Sequence, residues 1–265
     1  MEKISTGQAY DMYAEEDHNT WAILLQRQSE LHSKGKVSRE YLNGLDKLRI
    51  NKHRIVKITE VGDALKEVSG WSLIPVNGLI PNRDFFYMLI NKKYPVTVYM
   101  RKPSELEFSE QPDIFHDVCG HLPLLVNEKF TRFLTAYSAI ALKYINNERA
   151  IDLLGRLYWF TYEMGLIIED GQFRAYGGAI ITSSGEFENI EREEIPKYDF
   201  DLHRIFKTPY NSFKLQREYF FIHSFDDLFN CLEDIEEKLI EHLLLPDEDH
   251  TLRNFFINSN INGVG

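Results

Sequence analysis

Two histidines stand five positions apart, His116 and His121, in the segment PDIFHDVCGHLPLL, and a lone glutamate, Glu163, stands in the apolar, aromatic segment LYWFTYEMGL. A glutamate in such surroundings is costly to bury unless something pairs with it. Two imidazoles and one carboxylate on one face of an octahedral iron(II) leave about three positions open, enough for dioxygen and an exchangeable ligand. Asp113, just upstream of His116, is suited to accept the imidazole's other N–H. On an unbroken α-helix, residues five apart are rotated by roughly 140°, so the two rings would diverge. Gly120 offers a remedy: a left-handed residue there ends the helix and lets His121 turn back toward His116 from a loop. Taken alone, a histidine pair at this spacing is more often a surface or satisfied core pair than a metal site. The spacing also fails the HExxH pattern, whose histidines lie four apart on one helical face, which disfavours a zinc peptidase of that kind. Other zinc sites remain open, because imidazole and carboxylate both suit zinc.

The elements that must carry these residues read as mainly α with small β-strands, an α+β chain. Trp21, Leu24, Leu25, Gln28 and Leu31 recur at helical spacing, which predicts a helix over 11–34 that stops at Gly35. A second helix is expected over 39–48, a short strand around Ile55 and Lys57, and a helical turn from Asp63. Residues 71–103 alternate between strand-like WSLIPV and YPVTVYM, with RDFFYMLINK able to form a helix between them. Helices then dominate: 112–119, 128–145 behind an Asn127 cap, and 151–169, which would carry Glu163. Asp170-Gly171 signals a turn, FRAYGGAIITSSGE a strand broken by paired glycines, and Ser184 the start of another helix. Residues 193–217 look irregular, 219–222 read as a strand, and a closing helix runs from Ser224 to about Leu245. The pattern describes one domain over 1–265 with a flexible tail over 246–265.

Composition narrows the classes of partner. The formal net charge is -11 and no run of five Lys and Arg occurs, so nucleic acid and anionic membranes are poor partners. The two cysteines, Cys119 and Cys231, are far apart and form no CxxC, which suits a reducing compartment. The N-terminal segment lacks the apolar stretch of a signal peptide, and no apolar run reaches membrane-span length. The expectation is a cytoplasmic protein, a monomer or small homo-oligomer.

Four blocks, in order, resemble the biopterin-dependent aromatic amino acid hydroxylases. PDIFHDVCGHLPLL matches the family's PDxxHExxGHxPLL, and YWFTYEMGL matches its W-F-T-x-E-F-G helix. AYGGAIITSSGE answers AYGxGxxSSxGE, and PVNGLIPNRDFFYML answers PVxGLxxxRDFxxxL. The resemblance implies that His116, His121 and Glu163 hold Fe(II) and that a tetrahydropterin and dioxygen are used to hydroxylate the ring of a free aromatic amino acid. It implies that Phe85 stacks on the pterin, with Gly78, Ile80 and Asn82 bonding its polar edge and Tyr158 and Asp117 close by. It assigns Arg101, helped by Ser109, to the substrate carboxylate, Trp159 to the wall of the ring slot, and Thr182 and Ser183 to orienting His116 and the substrate. Asp117 replaces the family's usual Glu, Arg217 the proline after Gln216, Ala179 a glycine and Thr182 a serine. Trp159 separates the chain from tryptophan hydroxylases, which usually have Phe there, and Ser212 from tyrosine hydroxylases, which tend to carry Asp. Phenylalanine is therefore the expected substrate, with tyrosine or tryptophan as the alternatives within the family. The form implied is a catalytic core without regulatory or tetramerising extensions. A zinc hydrolase on the same triad and a silent pterin- or metal-binding protein are the rival classes.

Overall fold

The computed structural model describes residues 5–107, 109 and 111–246. Most of them are helical. Helix α1 (Glu15–Ser33) buries Trp21, Leu24, Leu25 and Gln28, the stripe legible in the sequence, and starts where the Asp17 carboxylate accepts the Ala14 N–H at 2.8 Å. Helix α2 (Arg39–Leu48) is capped by Ser38, whose hydroxyl oxygen accepts the Tyr41 N–H. A methyl group on Gly44 would lie 1.9 Å from the Pro123 carbonyl oxygen, so α2 rests directly on the backbone that follows His121.

The strand expected around Ile55 and Lys57 does not form. Ile55 and Val56 are buried, but side chains rather than a neighbouring strand satisfy their backbone. His18 Nδ1 accepts the Ile55 N–H, the Tyr10 hydroxyl donates to the Ile55 carbonyl, and Gln8 donates to the Val56 carbonyl. Helix α3 (Ile58–Ser69) follows at once, five residues before Asp63. Strands β1 (Ser72–Val76) and β2 (Lys93–Thr97) pair in parallel, and α4 (Asn82–Ile90) makes the crossover that parallel pairing requires.

Helix α5 (Glu128–Lys143) is capped by Asn127 as expected, and α6 (Glu148–Tyr158) by Asn147. The single helix expected over 151–169 instead divides. After Tyr158 the chain widens into a π-turn, Trp159–Glu163, and then extends as β3 (Gly165–Glu169). The switch falls at Gly165, where a Cβ would lie 2.2 Å from the Tyr176 ring and 2.3 Å from the Thr161 carbonyl oxygen. Asp170 and Gly171, both at positive φ, turn β3 into antiparallel β4 (Gln172–Ala175). Short helices α7 (Gly178–Ile181) and α8 (Ser184–Ile190) follow.

Within 193–217, read as irregular, lie β5 (Lys197–Asp199) and α9 (Leu202–Lys207). Both are too short to show a period, and β5 exists because it pairs with β6 (Tyr219–Ile222). The four strands run in the order β4-β3-β6-β5. The closing helix is two, α10 (Phe225–Asn230) and α11 (Leu232–Leu243), broken at Cys231. Of the expected tail, residues 247–265 lie outside the described residues. No helix among the described residues is long and apolar enough to cross a membrane.

Candidate active site

The two histidines converge without the left-handed glycine that their spacing first suggested. Residues 116–121 form a π-turn, in which backbone bonds span five residues instead of four. Residues five apart then sit above one another, and the His116 and His121 rings meet edge to face with centroids 4.7 Å apart. Gly120 is not among the glycines at positive φ. Its small size serves packing: a Cβ there would approach the Gly178 backbone to 3.0 Å.

Glu163 is delivered by the second π-turn, where the Met164 N–H donates to the Trp159 carbonyl at 2.8 Å, again across five residues. This winding brings Tyr158, five residues before Glu163, to the same cavity. The three donors close a triangle. His121 Nε2 lies 2.9 Å from His116 Nε2 and 3.3 Å from Glu163 Oε1, and His116 Nε2 lies 3.6 Å from Glu163 Oε2. Glu163 Oε2 is buried with no hydrogen-bond partner among the described residues, an arrangement that a cation at the centre of the triangle would resolve. Asp117 also brings a carboxylate within 4.8 Å of both imidazoles. Its Oδ2, however, accepts the Thr97 N–H at 2.7 Å, so Glu163 is the freer donor of the two.

Protonation suits metal binding. Burial and the neighbouring His121 pull His116 down to about 4, so its imidazole is neutral at pH 7. Its Nδ1 lies 3.0 Å from the Thr182 hydroxyl oxygen, and that hydroxyl donates to the Gly178 carbonyl at 2.8 Å. Thr182 can therefore only accept from the ring, which puts the proton on Nδ1 and leaves the Nε2 lone pair facing the triangle. Burial pushes the Glu163 carboxyl up, but His121, His116 and the Ala179 amide outweigh it and hold the group below its ordinary value. Burial lifts Asp117 to about 6 against the pull of the Thr97 amide.

Asp113 does not accept the His116 ring N–H as the sequence suggested. Fully buried, it takes the His116 backbone N–H at 2.9 Å and binds Arg101 in bidentate fashion, Nε to Oδ2 at 2.8 Å and Nη2 to Oδ1 at 3.0 Å. That pairing engages two of the five guanidinium N–H groups and leaves three for another acceptor. A carboxylate three positions ahead of His116 thus starts the π-turn and aims the arginine at once.

A forked cavity opens on the triangle. One arm is lined by Gly78, Leu79, Ile80, Asn82, Phe85, Asp117 and Tyr158, with Phe85 and Tyr158 edge to face at 5.8 Å. The other, of about 350 Å³, is lined by Arg101, Ser109, Trp159, Thr182, Ser183 and Ser212 among others. His116 and Glu163 border both. Ser109 donates to the Gln111 carbonyl. Ser183 caps α8 by accepting the Glu186 N–H, while the Thr182 hydroxyl is the one paired with the His116 ring.

Gly177 and Gly178, strand breakers by sequence pattern, turn out to belong to the site. A Cβ on Gly177 would lie 2.4 Å from the Glu163 carbonyl oxygen, and one on Gly178 would lie 2.3 Å from His121 Cε1. The pair lets α7 press against both donor segments. Tyr162, stacked on the His121 ring at 4.4 Å, was missed as well. The first carries a sequence signal, adjacent glycines in an apolar run; the second carries none.

A buried face of two imidazoles and one carboxylate, opening on a forked cavity, is the donor set of mononuclear non-haem iron oxygenases. The sequence profile of the biopterin-dependent aromatic amino acid hydroxylases matches residues 6–253. The phenylalanine-4-hydroxylase of Chromobacterium violaceum is 38% identical over 225 residues, covering 84% of this chain and 75% of the relative. That of Pseudomonas aeruginosa is 35% identical over 222 residues, 84% of each. A crystal structure of the C. violaceum enzyme with iron(III) and 7,8-dihydrobiopterin bound superposes with a TM-score of 0.85 at 36% identity, covering 94% of this chain and 91% of that one. The chain belongs to the biopterin-dependent aromatic amino acid hydroxylase family.

Proposed function

We propose that this protein hydroxylates L-phenylalanine to L-tyrosine with Fe(II), a tetrahydropterin and dioxygen. The observation that carries the reading is the triangle of His116 Nε2, His121 Nε2 and the Glu163 carboxylate, whose buried Oε2 has no hydrogen-bond partner among the described residues. The iron and pterin together would supply the activation of dioxygen. The protein's part is to hold three donors on one face, leaving the opposite face to the cavity. Thr182 fixes the His116 tautomer. In the narrower arm, Phe85 and Tyr158 would take the flat pterin ring, with the backbone around Gly78, Ile80 and Asn82 bonding its polar edge and Asp117 at its metal-facing side.

In the wider arm, Arg101, oriented by Asp113, would bind the substrate carboxylate through the N–H groups that the Asp113 pairing does not use, with Ser109 alongside. Trp159 would wall the ring slot, and Trp159 together with Ser212 favours phenylalanine over tryptophan and tyrosine. Thr182 and Ser183 border the point where ring and metal face meet. Burial of the donors excludes bulk water from that point. We place the enzyme in the cytoplasm, acting through one catalytic domain as a monomer or small homo-oligomer.

The test is metal-free protein loaded anaerobically with Fe(II) or Zn(II), then given tetrahydropterin, oxygen and each of Phe, Tyr and Trp. Tyrosine from phenylalanine, identified by mass and retention time, should form with iron only. Equal product with zinc, or a product from tryptophan alone, would overturn the proposal.

A further inference from the structure

A buried polar network stands behind the wall of the wider arm. The Trp159 indole N–H donates to Gln216 Oε1 at 3.1 Å, and the indole stacks on Tyr210 with centroids 4.7 Å apart and planes 13° from parallel. Gln216 is buried and is not among the residues lining the cavity. Its side-chain NH₂ donates to the Asn211 carbonyl at 3.0 Å and the Lys214 carbonyl at 2.8 Å. Its backbone N–H donates to Glu186 Oε1 at 3.2 Å, and its carbonyl accepts from Asn189 at 2.8 Å. The Tyr219 hydroxyl donates to the other Glu186 oxygen and accepts from Asn189 at 2.7 Å. The backbone N–H and carbonyl of Gln216 are thereby fixed from α8 and its side-chain NH₂ from the 209–217 segment, which turns Oε1 to the indole.

An apolar side chain behind Trp159 would pack about as well, since burying polar groups gains little net stability even when they are satisfied. What the network adds is direction. An indole flipped in its own plane fills nearly the same volume but cannot place its N–H on Gln216. We infer that Gln216 is a positioning residue for substrate selection: through the indole N–H it holds Trp159 in one orientation, and that fixed edge sets the width of the amino-acid slot. The inference rests on the reading of the wider arm as that slot. Glu186, Asn189 and Tyr219 hold Gln216 and act at one further remove. Gln216→Met keeps length and volume and removes the acceptor.

The experiment is a double-mutant cycle with Trp159→Phe, which lacks the N–H. The preference for phenylalanine over tryptophan, as a ratio of kcat/KM, should fall roughly tenfold in Gln216→Met, the size expected for one buried donor left unpaired. In the Trp159→Phe background the same change should alter the ratio less than twofold. A Gln216→Met preference within twofold of wild type would overturn the inference. So would a full-sized effect that persists without the indole N–H, because Gln216 would then merely support its loop. The second measurement needs neither metal nor substrate. The Trp159 contribution to fluorescence anisotropy, taken as the difference between parent and Trp159→Phe proteins, should drop in Gln216→Met; an unchanged contribution refutes the inference. A wild-type protein that hydroxylates no aromatic amino acid would sink the slot reading, while the anisotropy still decides whether Gln216 holds Trp159. Gln216→Asn, which retracts the acceptor by one methylene, serves both measurements if the Met variant does not fold.

Discussion

Replacing Gly178 by alanine should disable the metal triangle from outside it. The added Cβ would lie 2.3 Å from His121 Cε1, 2.5 Å from Nδ1 and 3.0 Å from Nε2, against an ordinary contact of 3.4–4 Å. Ring or backbone must therefore move by about 1 Å. The ring has little freedom to yield, since Tyr162 stacks on it at 4.4 Å and Tyr94 packs at 5.9 Å. The backbone is also held, because the Gly178 carbonyl accepts the Thr182 hydroxyl and lies against Gly120. Overpacking of this kind costs about 1–3 kcal/mol, and a misplacement of about 1 Å at a reacting centre costs on the order of 100-fold in rate. Metal affinity should fall about 10–100-fold, the range for a lost support behind a ligand. Chelator competition with Fe(II) or Co(II), thermal melting of the metal-free protein and tyrosine formation read the three effects separately. Gly7→Ala is the control, since no described residue lies within 4 Å of a Cβ there. A Gly178→Ala protein with metal affinity and turnover within twofold of wild type would refute the packing argument.

Thr182→Val should weaken metal binding by about 10–100-fold, whereas Thr182→Ser should not, because only the hydroxyl fixes the His116 tautomer; isothermal titration with Co(II) distinguishes them. Arg101→Ala should raise KM for phenylalanine and also destabilise the fold by about 3–5 kcal/mol, because it strands the buried Asp113 carboxylate; urea unfolding beside steady-state kinetics reads both. Gly44→Ala, with its Cβ 1.9 Å from the Pro123 carbonyl oxygen, should cost at least about 2 kcal/mol and lower Tm by several degrees. For pH, burial holds His32 at about 4 against an ordinary 6.5, so the folded state binds this proton less readily than the unfolded chain. Its contribution is thus intact above about pH 6.5 and is lost as pH falls toward 4, reaching roughly 3 kcal/mol. Denaturant midpoints between pH 7 and 4 should show this slope flattened in His32→Gln, and an identical slope would remove His32 from the account.

Much of this molecule is determined by local chemistry that a sequence displays. The Ser38, Asn127 and Ser183 caps, the apolar stripe of α1, the Asp170-Gly171 turn and the types of the three donors need no distant partner. The tertiary structure decided how the donors meet. Five-residue spacing on an α-helix sends His116 and His121 apart, and two π-turns bring the donors back, a winding that survives because α7 presses its glycines against both. It also decided that Asp113 serves Arg101 and leaves the His116 ring to Thr182. The same physics removed the strand at Ile55, whose backbone is satisfied by His18 and Tyr10, and created β5, which exists only through β6. Caps and periods depend on neighbours within a few residues. Helix widening and backbone satisfaction by side chains depend on groups dozens of residues away, and no local pattern encodes their arrival.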